Sequence, residues 1–512
     1  MEHDLDERAP VETRPGGDAR PRDWTRWDWL CLTLITLIGG ALRFIGLGDA
    51  KGQMFDEIYY AKDACLYAGR PPSVCGIDAP ENYVHPPLGK WFISLGVRAF
   101  GHNEIGWRVA GAIAGTLTIV VIYLLARKIL RSTLGASIAS GLFALDFLAL
   151  VQARVSMLDG FVPLFGVATF LFLAHDRDHL GARLEGQPRP SPARPWRLAA
   201  GIAAGGAVAT KWSGVFFVVA ALTLTITWAI GARRRDGRGG AIARALNQEG
   251  ATILAWLVLV PVLVYLLAYV GRVDGSLLAA PWSDDSWLFN VWTENNRAWH
   301  FHRGLEASHP YESPAWSWIL LKRPVAYYVA PGAPEGFIGS ISALGNPLVW
   351  WSSIPAVVFA AGAWLRRRDL FGPEAIIVAG VAFTYLPWLV LSQDRSAIFL
   401  FYLLPVVPFM CIALAYCFVR LGRSIEARLA AAVFMAAVAG LLVFYHPLLV
   451  GTVLPYESWE RRLLFNDEAA CSKPSGEPTT TTTTETTRGR TVTNTVETTT
   501  EDSLPPKGWC WL

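Results

Sequence analysis

Two adjacent carboxylates, Asp56 and Glu57, stand in the stretch GQMFDEIYYAKDA, directly after the first strongly apolar segment of the chain. Two neighbouring acids repel each other when both are ionised, so the pair offers no structural benefit by itself. A carboxylate that faces a hydroxyl group can remove its proton while that oxygen forms a new bond. The pair therefore indicates general base chemistry, and Asp56 and Glu57 are the candidate catalytic residues.

Cations stand at the ends of other apolar segments of the chain. Arg108, Arg154, Lys211 and Arg395 could bind a phosphate and stabilise the charge that grows on it as it leaves. Charged side chains near the bilayer core are costly and usually have a function. Taken alone, Arg154 is better explained as a snorkelling or helix-capping charge. Together, the acids and cations predict transfer of a group from a lipid-linked phosphate to a hydroxyl.

Three more polar residues are candidates for positioning the substrate. Asp159 lies in QARVSMLDG, and His85 and Lys90 lie in NYVHPPLGKWF. His85 could be read as a metal ligand, but no cluster of His, Asp or Glu at ligand spacing surrounds it. A histidine that hydrogen-bonds locally in a loop fixed by proline is the favoured interpretation. We therefore predict that no metal and no cofactor are required.

The elements that carry these residues have the composition of a membrane protein. The chain has 512 residues, of which 53% are hydrophobic and 17% are charged, too apolar for a soluble protein of this size. The apolar residues form about eleven blocks, most of them near the roughly 17–25 residues that span a bilayer. A few, such as residues 198–209, are short. The sequence predicts an all-α polytopic integral membrane protein with about eleven transmembrane helices.

Basic residues predict the orientation of these spans. Arg and Lys follow every even-numbered apolar block, as at Arg366 to Arg368, and five Arg precede Asp28. Because basic loops stay in the cytoplasm, the N-terminus is predicted to be cytoplasmic and the C-terminus extracytoplasmic. The candidate site residues then all face outward. The net charge of +3 reflects this orientation, so we predict contact with the lipid bilayer and none with nucleic acid.

The predicted organisation has three parts. Residues 1–27 are a disordered cytoplasmic tail, and residues 28–458 are the transmembrane domain. Two long extracytoplasmic loops interrupt this domain, a first loop at residues 48–106 and a second loop at residues 271–345. Residues 459–512 form an extracytoplasmic tail with the run PTTTTTTETTRGRTVTNTVETTT. Such a run cannot bury a core, so we predict that it is disordered.

Four cysteines fall on the predicted outer side, where disulfides persist. They are Cys65, Cys75, Cys471 and Cys510. Cysteine spacing does not determine connectivity. Our hypothesis pairs Cys65 with Cys75 and Cys471 with Cys510, because the first two residues could close a small loop.

Five stretches occur in an order that is specific in combination: FDEIYYAKDA, HPPLGKWFISLG, NEIGWRVAGAIAG, QARVSMLDGF and TKWSG. Together they resemble the bacterial protein O-mannosyltransferases, which belong to the GT-C membrane glycosyltransferases. The resemblance covers most of residues 24–458. It implies a GT-C fold in the plasma membrane and inverting transfer of mannose from polyprenyl-phosphate mannose to Ser or Thr of secreted polypeptides. The secretion channel is a candidate partner.

The resemblance also assigns roles. Asp56 matches the catalytic base, and Glu57 matches a second acid that positions acceptor or donor. Arg108 matches the arginine that opens the second span, Asp159 the acid of a Met-Leu-Asp motif, and Lys211 the lysine of a Lys-Trp motif. Arg395 has only a weak likeness to a late arginine of the family.

Two other functions remain open on the sequence. One is a related GT-C enzyme that moves another polyprenyl-phosphate sugar onto a lipid or glycan. The other is a transporter, which ranks lower because transporters place their polar residues near the membrane midplane and often show inverted repeats. The second loop, at roughly 75 residues, is too short for the MIR domain of eukaryotic members.

Overall fold

The computed structural model describes residues 24–182, 193–235, 237, 239–270, 287–305, 309–392, 395–422, 424–465, 479–487 and 490–498. Most of these residues are helical. The α-helices, in chain order, are α1 (Arg26–Phe44), α2 (Glu57–Tyr67), α3 (Pro72–Cys75), α4 (Leu88–Phe100), α5 (Glu104–Leu130), α6 (Thr133–Ala144), α7 (Phe147–Arg154), α8 (Val162–Ala182), α9 (Pro195–Thr210), α10 (Val215–Arg235), α11 (Ala241–Leu254), α12 (Val260–Leu267), α13 (Trp287–Arg303), α14 (Ala315–Trp318), α15 (Pro347–Arg367), α16 (Pro373–Leu391), α17 (Val407–Arg420), α18 (Ile425–Val450) and α19 (Tyr456–Glu460). The strands are β1 (Val325–Val329), β2 (Phe337–Ile338), β3 (Ser340–Ala343), β4 (Leu454–Pro455), β5 (Thr479–Thr487) and β6 (Arg490–Thr498).

The long apolar helices confirm a multi-pass membrane protein. Within the described ranges, nine helical segments are long and apolar enough to span a bilayer. The helices α6 and α7 make a tenth span if they are taken as one pair, which is bent by 57°. The remaining predicted block falls in α9, which has 16 residues. At about 1.5 Å per residue it is about 24 Å long, shorter than a hydrocarbon core of about 30 Å.

The bend between α6 and α7 is fixed by one buried carboxylate. Asp146 accepts a hydrogen bond from the backbone N–H of Ala149, at 3.0 Å, and so caps the start of α7. Its other oxygen accepts from the backbone N–H of Asn346, at 3.2 Å, and from Trp350 Nε1, at 2.8 Å. Because Asn346 and Trp350 belong to the start of α15, the bend is tied to a helix far along the chain. This contact positions α7 and the turn that follows it.

The first loop is folded closely against the bundle. Its helix α4 packs on the start of α5, where a Cβ atom added to Gly96 would lie 2.3 Å from the carbonyl oxygen of Gly106. Glycine is therefore required for this approach of the two backbones. The start of α5 is capped by Asn103, whose side chain accepts from the N–H of Gly106 at 3.0 Å. The close packing sets the position of the His85 loop, which leads into α4.

The second loop supplies α13, α14 and the strands β1 to β3, which belong to two small antiparallel sheets. β1 pairs with β3, with an irregularity between Ala326 and Tyr328, and β2 pairs with β4. In the C-terminal tail, β5 and β6 pair antiparallel along their full lengths. This pairing differs from the disorder predicted for the Thr-rich run. Threonine is β-branched and favours extended backbone, a preference that the compositional argument did not weigh.

Candidate active site

Asp56 and Glu57 point into different surroundings although they are neighbours. Asp56 is the residue before α2 and is partly exposed, whereas Glu57 is the first residue of α2 and is fully buried. The preceding residue, Phe55, has a φ of 48°, which is unfavourable for a large side chain. Its ring stacks on Tyr327 with centroids 4.8 Å apart and meets Phe401 edge-on. This packing holds the strained turn that places Asp56 beside Tyr60, Asp159 and Lys211, a polar cluster that we call the cleft.

The carboxyl group of Asp56 has a raised pKa. Burial raises the pKa to about 6, although the positive charge of Lys211 opposes this shift. The negative charge of Asp159 raises the pKa further, and a hydrogen bond from the Tyr60 hydroxyl, at 3.3 Å, lowers it. A carboxylate with such a pKa is a stronger base than an ordinary aspartate and is still mostly ionised at neutral pH.

Lys211 and Asp159 form a buried ion pair close to Asp56. The Nζ atom of Lys211 lies 2.8 Å from each carboxylate oxygen of Asp159. The same Nζ lies 4.2 Å from the centre of the Tyr402 ring, over its face. Lys211 follows the last residue of α9, and Asp159 lies in a short helical turn before α8. The structure thus brings together two candidates that are 52 residues apart.

Glu57 is saturated by hydrogen bonds and does not reach the cleft. Its Oε1 accepts from Arg108 Nε, at 2.9 Å, and from the N–H of Ser156, at 2.8 Å. Its Oε2 accepts from Arg108 Nη2, at 2.9 Å, and from the N–H of Met54, at 3.1 Å. This placement does not support the prediction that Glu57 positions the substrate. Glu57 instead ties the catalytic turn to α5 and to the segment after α7.

The N–H groups of Arg108 are equally occupied, which does not support the prediction that it binds phosphate. Besides Glu57, it donates through Nη1 to the carbonyls of Leu47, at 3.3 Å, and Ala50, at 2.6 Å. Its Nη2 also donates to the carbonyl of Gly52, at 2.8 Å. A guanidinium group has five N–H donors, and all five are engaged here. Arg108 therefore organises the start of the first loop.

Arg154 caps the end of α1 and is not directed at the cleft. Its Nη1 donates to the carbonyls of Leu42, at 2.9 Å, and Ile45, at 2.7 Å. Its Nη2 donates to the carbonyl of Gly46, at 2.8 Å. These carbonyls belong to the last turn of α1 and to the two residues after it, where acceptors lack partners within the helix. The capping alternative thus describes Arg154, and the phosphate-binding prediction does not.

Lys90 also has a structural position. It is fully buried and pairs with Asp63, with Nζ 3.0 Å from Oδ2. It donates a further hydrogen bond to the carbonyl of Asn82. The pair links α4 to α2 beneath the loop that contains His85. The charge of Lys90 is paired inside the first loop, which favours a structural role, and its role in positioning substrate stays a prediction.

His85 lies beside the cleft, next to a histidine that the sequence analysis missed. The centre of its ring is 5.6 Å from that of His302 and 6.2 Å from that of Tyr60. His302 lies near the end of α13 and contacts Arg395, with Nη2 3.2 Å from Nδ1. The feature of the sequence that could have indicated His302 is the pair of histidines in WHFHRG.

Arg395 lies at the mouth of an apolar groove of about 750 Å³. Helices α9, α10, α12 and α16 form its walls, and Trp212, the neighbour of Lys211, lies where the groove meets the cleft. Among the wall residues, Val215 is 44% exposed, Val262 51% and Leu391 68%. These residues lie on long apolar helices, so the groove opens sideways towards the lipid. The site therefore has a polar end and an apolar channel.

The remaining candidates concern cysteines and metal ions. Cys65 and Cys75 are joined by a disulfide that connects α2 with α3. Cys471 and Cys510 lie outside the described residues. In the part of the chain that the structure covers, no group of three or more His, Cys, Asp or Glu side chains could hold a metal ion.

The arrangement of the apolar helices is that of the GT-C membrane fold. The fold is similar to the structure of the S. cerevisiae protein O-mannosyltransferase Pmt1-Pmt2 complex bound to the sugar donor, with a TM-score of 0.64. The match covers 86% of this chain and 92% of that chain at 15% identity. The crystal structure of ArnT from Cupriavidus metallidurans in the apo state gives a TM-score of 0.51 at 19% identity, covering 82% and 64% of the two chains.

The chain belongs to the protein O-mannosyltransferase family. Residues 31–273 match the family described as dolichyl-phosphate-mannose-protein mannosyltransferase, and residues 288–468 match the C-terminal four TMM region of protein-O-mannosyltransferase. The polyprenol-phosphate-mannose–protein mannosyltransferase of Mycobacterium tuberculosis (strain H37Rv) is 31% identical, over 88% of this chain and 94% of that protein. The protein of the same name from Corynebacterium glutamicum is 29% identical, over 86% and 94%.

Proposed function

We propose that this protein transfers mannose from polyprenyl-phosphate mannose to Ser or Thr hydroxyls of secreted polypeptides, with inversion, at the outer face of the plasma membrane. One observation carries the proposal. The carboxylate of Asp56, with its raised pKa, stands beside the Lys211–Asp159 ion pair, and the residue after Lys211, Trp212, lines the apolar groove. Family membership and the printed names of the relatives support the choice of sugar, lipid and acceptor.

On the acceptor side, Asp56 is the proposed base. The Ser or Thr oxygen attacks the anomeric carbon from the side opposite the phosphate, and its proton passes to the Asp56 carboxylate. The new bond is carbon–oxygen, and the bond that breaks joins the same carbon to the phosphate oxygen. The phosphate keeps the electron pair and stays on the lipid. One displacement of this kind inverts the anomeric centre without a covalent sugar–enzyme intermediate.

On the donor side, Lys211 and Arg395 are the proposed phosphate partners. Arg395 lines the groove and Lys211 directly precedes the lining residue Trp212, whereas Arg108 and the Nη atoms of Arg154 donate to other partners. Positive charge at this place would stabilise the phosphate as negative charge grows on it. Asp159 holds Lys211 in position through two contacts. The apolar walls of the groove fit the hydrocarbon tail of a polyprenyl lipid.

The orientation is proposed from the charges at the helix ends. Several helices that start near Asp56 or the cleft end in basic residues, for example α5 with Arg127 and Lys128 and α10 with Arg233 to Arg235. Because basic ends stay in the cytoplasm, the cleft faces outward. The N-terminus is then cytoplasmic and the C-terminus extracytoplasmic. Secreted polypeptides can reach such a cleft, and the secretion channel remains a candidate partner.

A direct assay tests the proposal. The full-length protein in lipid nanodiscs receives polyprenyl-phosphate mannose and a Thr-rich peptide, and the products are analysed by mass spectrometry and NMR. We expect an α-mannosyl threonine from a β-linked donor and a free polyprenyl phosphate. Sugar transfer to a lipid or glycan, with none to the peptide, would instead support the related GT-C enzyme. Retention of the β-configuration would contradict the single displacement.

The pH dependence should report the titration of Asp56. Only the ionised carboxylate can accept a proton, so kcat/KM should fall tenfold per pH unit below about 6, where the pKa lies. Lys211 lowers this pKa, and the substitution Lys211→Met should therefore move the fall in rate to higher pH. Because Asp159 raises the pKa, adding Asp159→Asn should shift the profile back. The measurement is the initial rate as a function of pH for the three proteins.

The control for this prediction is Lys128→Met. Lys128 pairs with Asp178, at 2.6 Å, near the other end of α5. Its removal should leave the profile unchanged. An unshifted profile in Lys211→Met would contradict the coupling of Lys211 to Asp56.

A bulky residue in the groove should weaken binding of the donor and leave binding of the acceptor peptide unchanged. Val262 lines the groove on α12, so Val262→Trp would occupy space needed by the lipid tail. Overfilling an apolar site costs about 1–3 kcal/mol, which corresponds to a rise in donor KM of about 5- to 150-fold. The neighbouring Leu263 is 56% exposed and is not part of the groove wall, so Leu263→Trp is the matched control. Equal donor KM values for the two variants would exclude this groove as the lipid site.

A further inference from the structure

His302 lies where three segments of the chain meet. It belongs to the last turn of α13, and its imidazole ring contacts both the loop before His85 and the loop that carries Arg395. The Nε2 atom lies 2.9 Å from the carbonyl oxygen of Val84. The Nδ1 atom lies 3.2 Å from Nη2 of Arg395. One ring therefore links the first loop to a proposed phosphate-binding arginine.

The two contacts require the same tautomer of His302. A carbonyl oxygen can only accept, so Nε2 must carry the hydrogen towards Val84. A guanidinium group can only donate, so Nδ1 must present its lone pair to Arg395. Both hydrogen bonds are satisfied by the neutral ring with its hydrogen on Nε2. Protonation of Nδ1 would replace the second bond by repulsion between two cations.

The surroundings of His302 favour this neutral form. Burial has the largest effect on its pKa and lowers it. The hydrogen bond to Val84 raises the pKa by less than burial lowers it, and the positive charges of Arg395 and Lys211 lower it further. The ring lies 5.6 Å from that of His85 and 5.5 Å from that of Trp212. These aromatic neighbours restrict the ring, so that its two nitrogen atoms stay directed at their partners.

The backbone of the Arg395 loop is fixed by the same part of the second loop. Ser396 donates to the carbonyl of Leu305, at 2.6 Å, and the N–H of Ala397 donates to Glu312 Oε2, at 2.8 Å. These bonds hold the loop but leave the long Arg395 side chain to be oriented. His302 supplies the hydrogen bond to that side chain. Within the described ranges, Arg395 Nε is buried and has no partner, so it is available to an anion.

We propose that His302 is a positioning residue that holds the guanidinium group of Arg395 against the donor phosphate. It acts through Arg395 and does not touch the reacting atoms. The inference rests on the proposed function, since it takes the occupant of the adjoining groove to be a polyprenyl-phosphate sugar. It assigns to the second loop a role in donor binding, although that loop carries none of the acids of the site.

A double-mutant cycle tests this role. His302→Phe keeps a ring and removes both hydrogen bonds, and Arg395→Met removes the cation. We expect His302→Phe to raise the KM for polyprenyl-phosphate mannose by about tenfold, because a hydrogen bond to a charged group is lost, with the peptide KM unchanged. If His302 acts through Arg395, the double variant should match Arg395→Met alone. Effects that multiply in the double variant would overturn the proposal.

Two further variants separate positioning from folding. In His302→Asn the side-chain oxygen can take the place of Nδ1, so donor KM should return most of the way to the wild-type value. His300 lies on the same helix and is exposed, and His300→Phe should behave as wild type. A His302→Asn protein with the same donor defect as His302→Phe would contradict positioning through Nδ1. All proteins are compared by thermal unfolding and by size-exclusion profile.

The assay of the wild-type protein and the assay of His302→Phe test separate proposals. A wild-type protein that transfers no mannose from the donor would contradict the proposed function. A wild-type protein that does so, together with an unchanged donor KM in His302→Phe, would contradict only the role of His302.

Discussion

Asp56→Asn should reduce mannose transfer at least about a hundredfold, while the protein remains folded. The substitution keeps the size of the side chain and its hydrogen bond with Tyr60, but the amide cannot accept the proton of the acceptor hydroxyl. General base catalysis contributes typically about 10²–10⁴-fold, so the loss should appear in kcat and not in either KM. The measurement is the single-turnover rate with saturating donor and peptide.

The matched control for Asp56 is Asp78→Asn. Asp78 is an exposed carboxylate of the same loop, so its removal changes the local charge equally without affecting the cleft. It should retain the wild-type rate. Near-normal turnover by an Asp56→Asn protein that unfolds at the wild-type temperature would remove Asp56 from the mechanism. Asp56→Asn should also bind the intact donor without consuming it, which makes it the suitable variant for trapping a complex.

Arg108→Met should destabilise the protein severely. Substitution of a residue that only binds phosphate would leave the stability unchanged. The substitution leaves the buried carboxylate of Glu57 with only two backbone N–H donors. Removing one partner of a buried ion pair costs about 3–5 kcal/mol. We therefore expect a clearly lower unfolding temperature in detergent or nanodiscs, measured by differential scanning fluorimetry. Activity should fall in proportion to the loss of folded protein.

The double variant Arg108→Met with Glu57→Gln provides the control. Once the carboxylate is neutral, no charge is left unpaired, so part of the lost stability should return. A phosphate ligand would behave differently: Arg108→Met would unfold at the wild-type temperature and show a raised donor KM. That outcome would contradict the structural role and restore the prediction made from the sequence.

The membrane class, the GT-C fold and the family could all be predicted from the sequence, and the comparisons confirm them. Apolar block length and the order of five motifs were sufficient, since both are local properties of the chain. The count of about eleven spans was less secure, because hydropathy does not measure whether a short helix such as α9 crosses the bilayer. The Thr-rich run shows a similar limit, because composition gave no indication of the pairing of β5 with β6.

The site was harder to predict because its partners come from distant segments. Asp56 and Glu57 look equivalent in the sequence, yet the turn at Phe55 directs one to the cleft and the other to the interior. Arg108 lies 51 residues from the carboxylate that neutralises it, and no local pattern reveals that pairing. A cation near the outer end of a span can bind phosphate, cap a helix or complete a buried pair. Only three-dimensional proximity distinguishes these roles.

The sideways opening of the groove between α10, α12 and α16 has a consequence for how the enzyme meets its donor. A polyprenyl lipid can enter from the bilayer without its tail ever passing through water. The search for donor is then two-dimensional diffusion, and the concentration that governs saturation is the number of donor molecules per membrane area. Donor supply to such an enzyme is thus set by membrane composition. Adding inert phospholipid to the membrane lowers the rate of transfer, whereas diluting the cell suspension with buffer leaves the rate per cell unchanged.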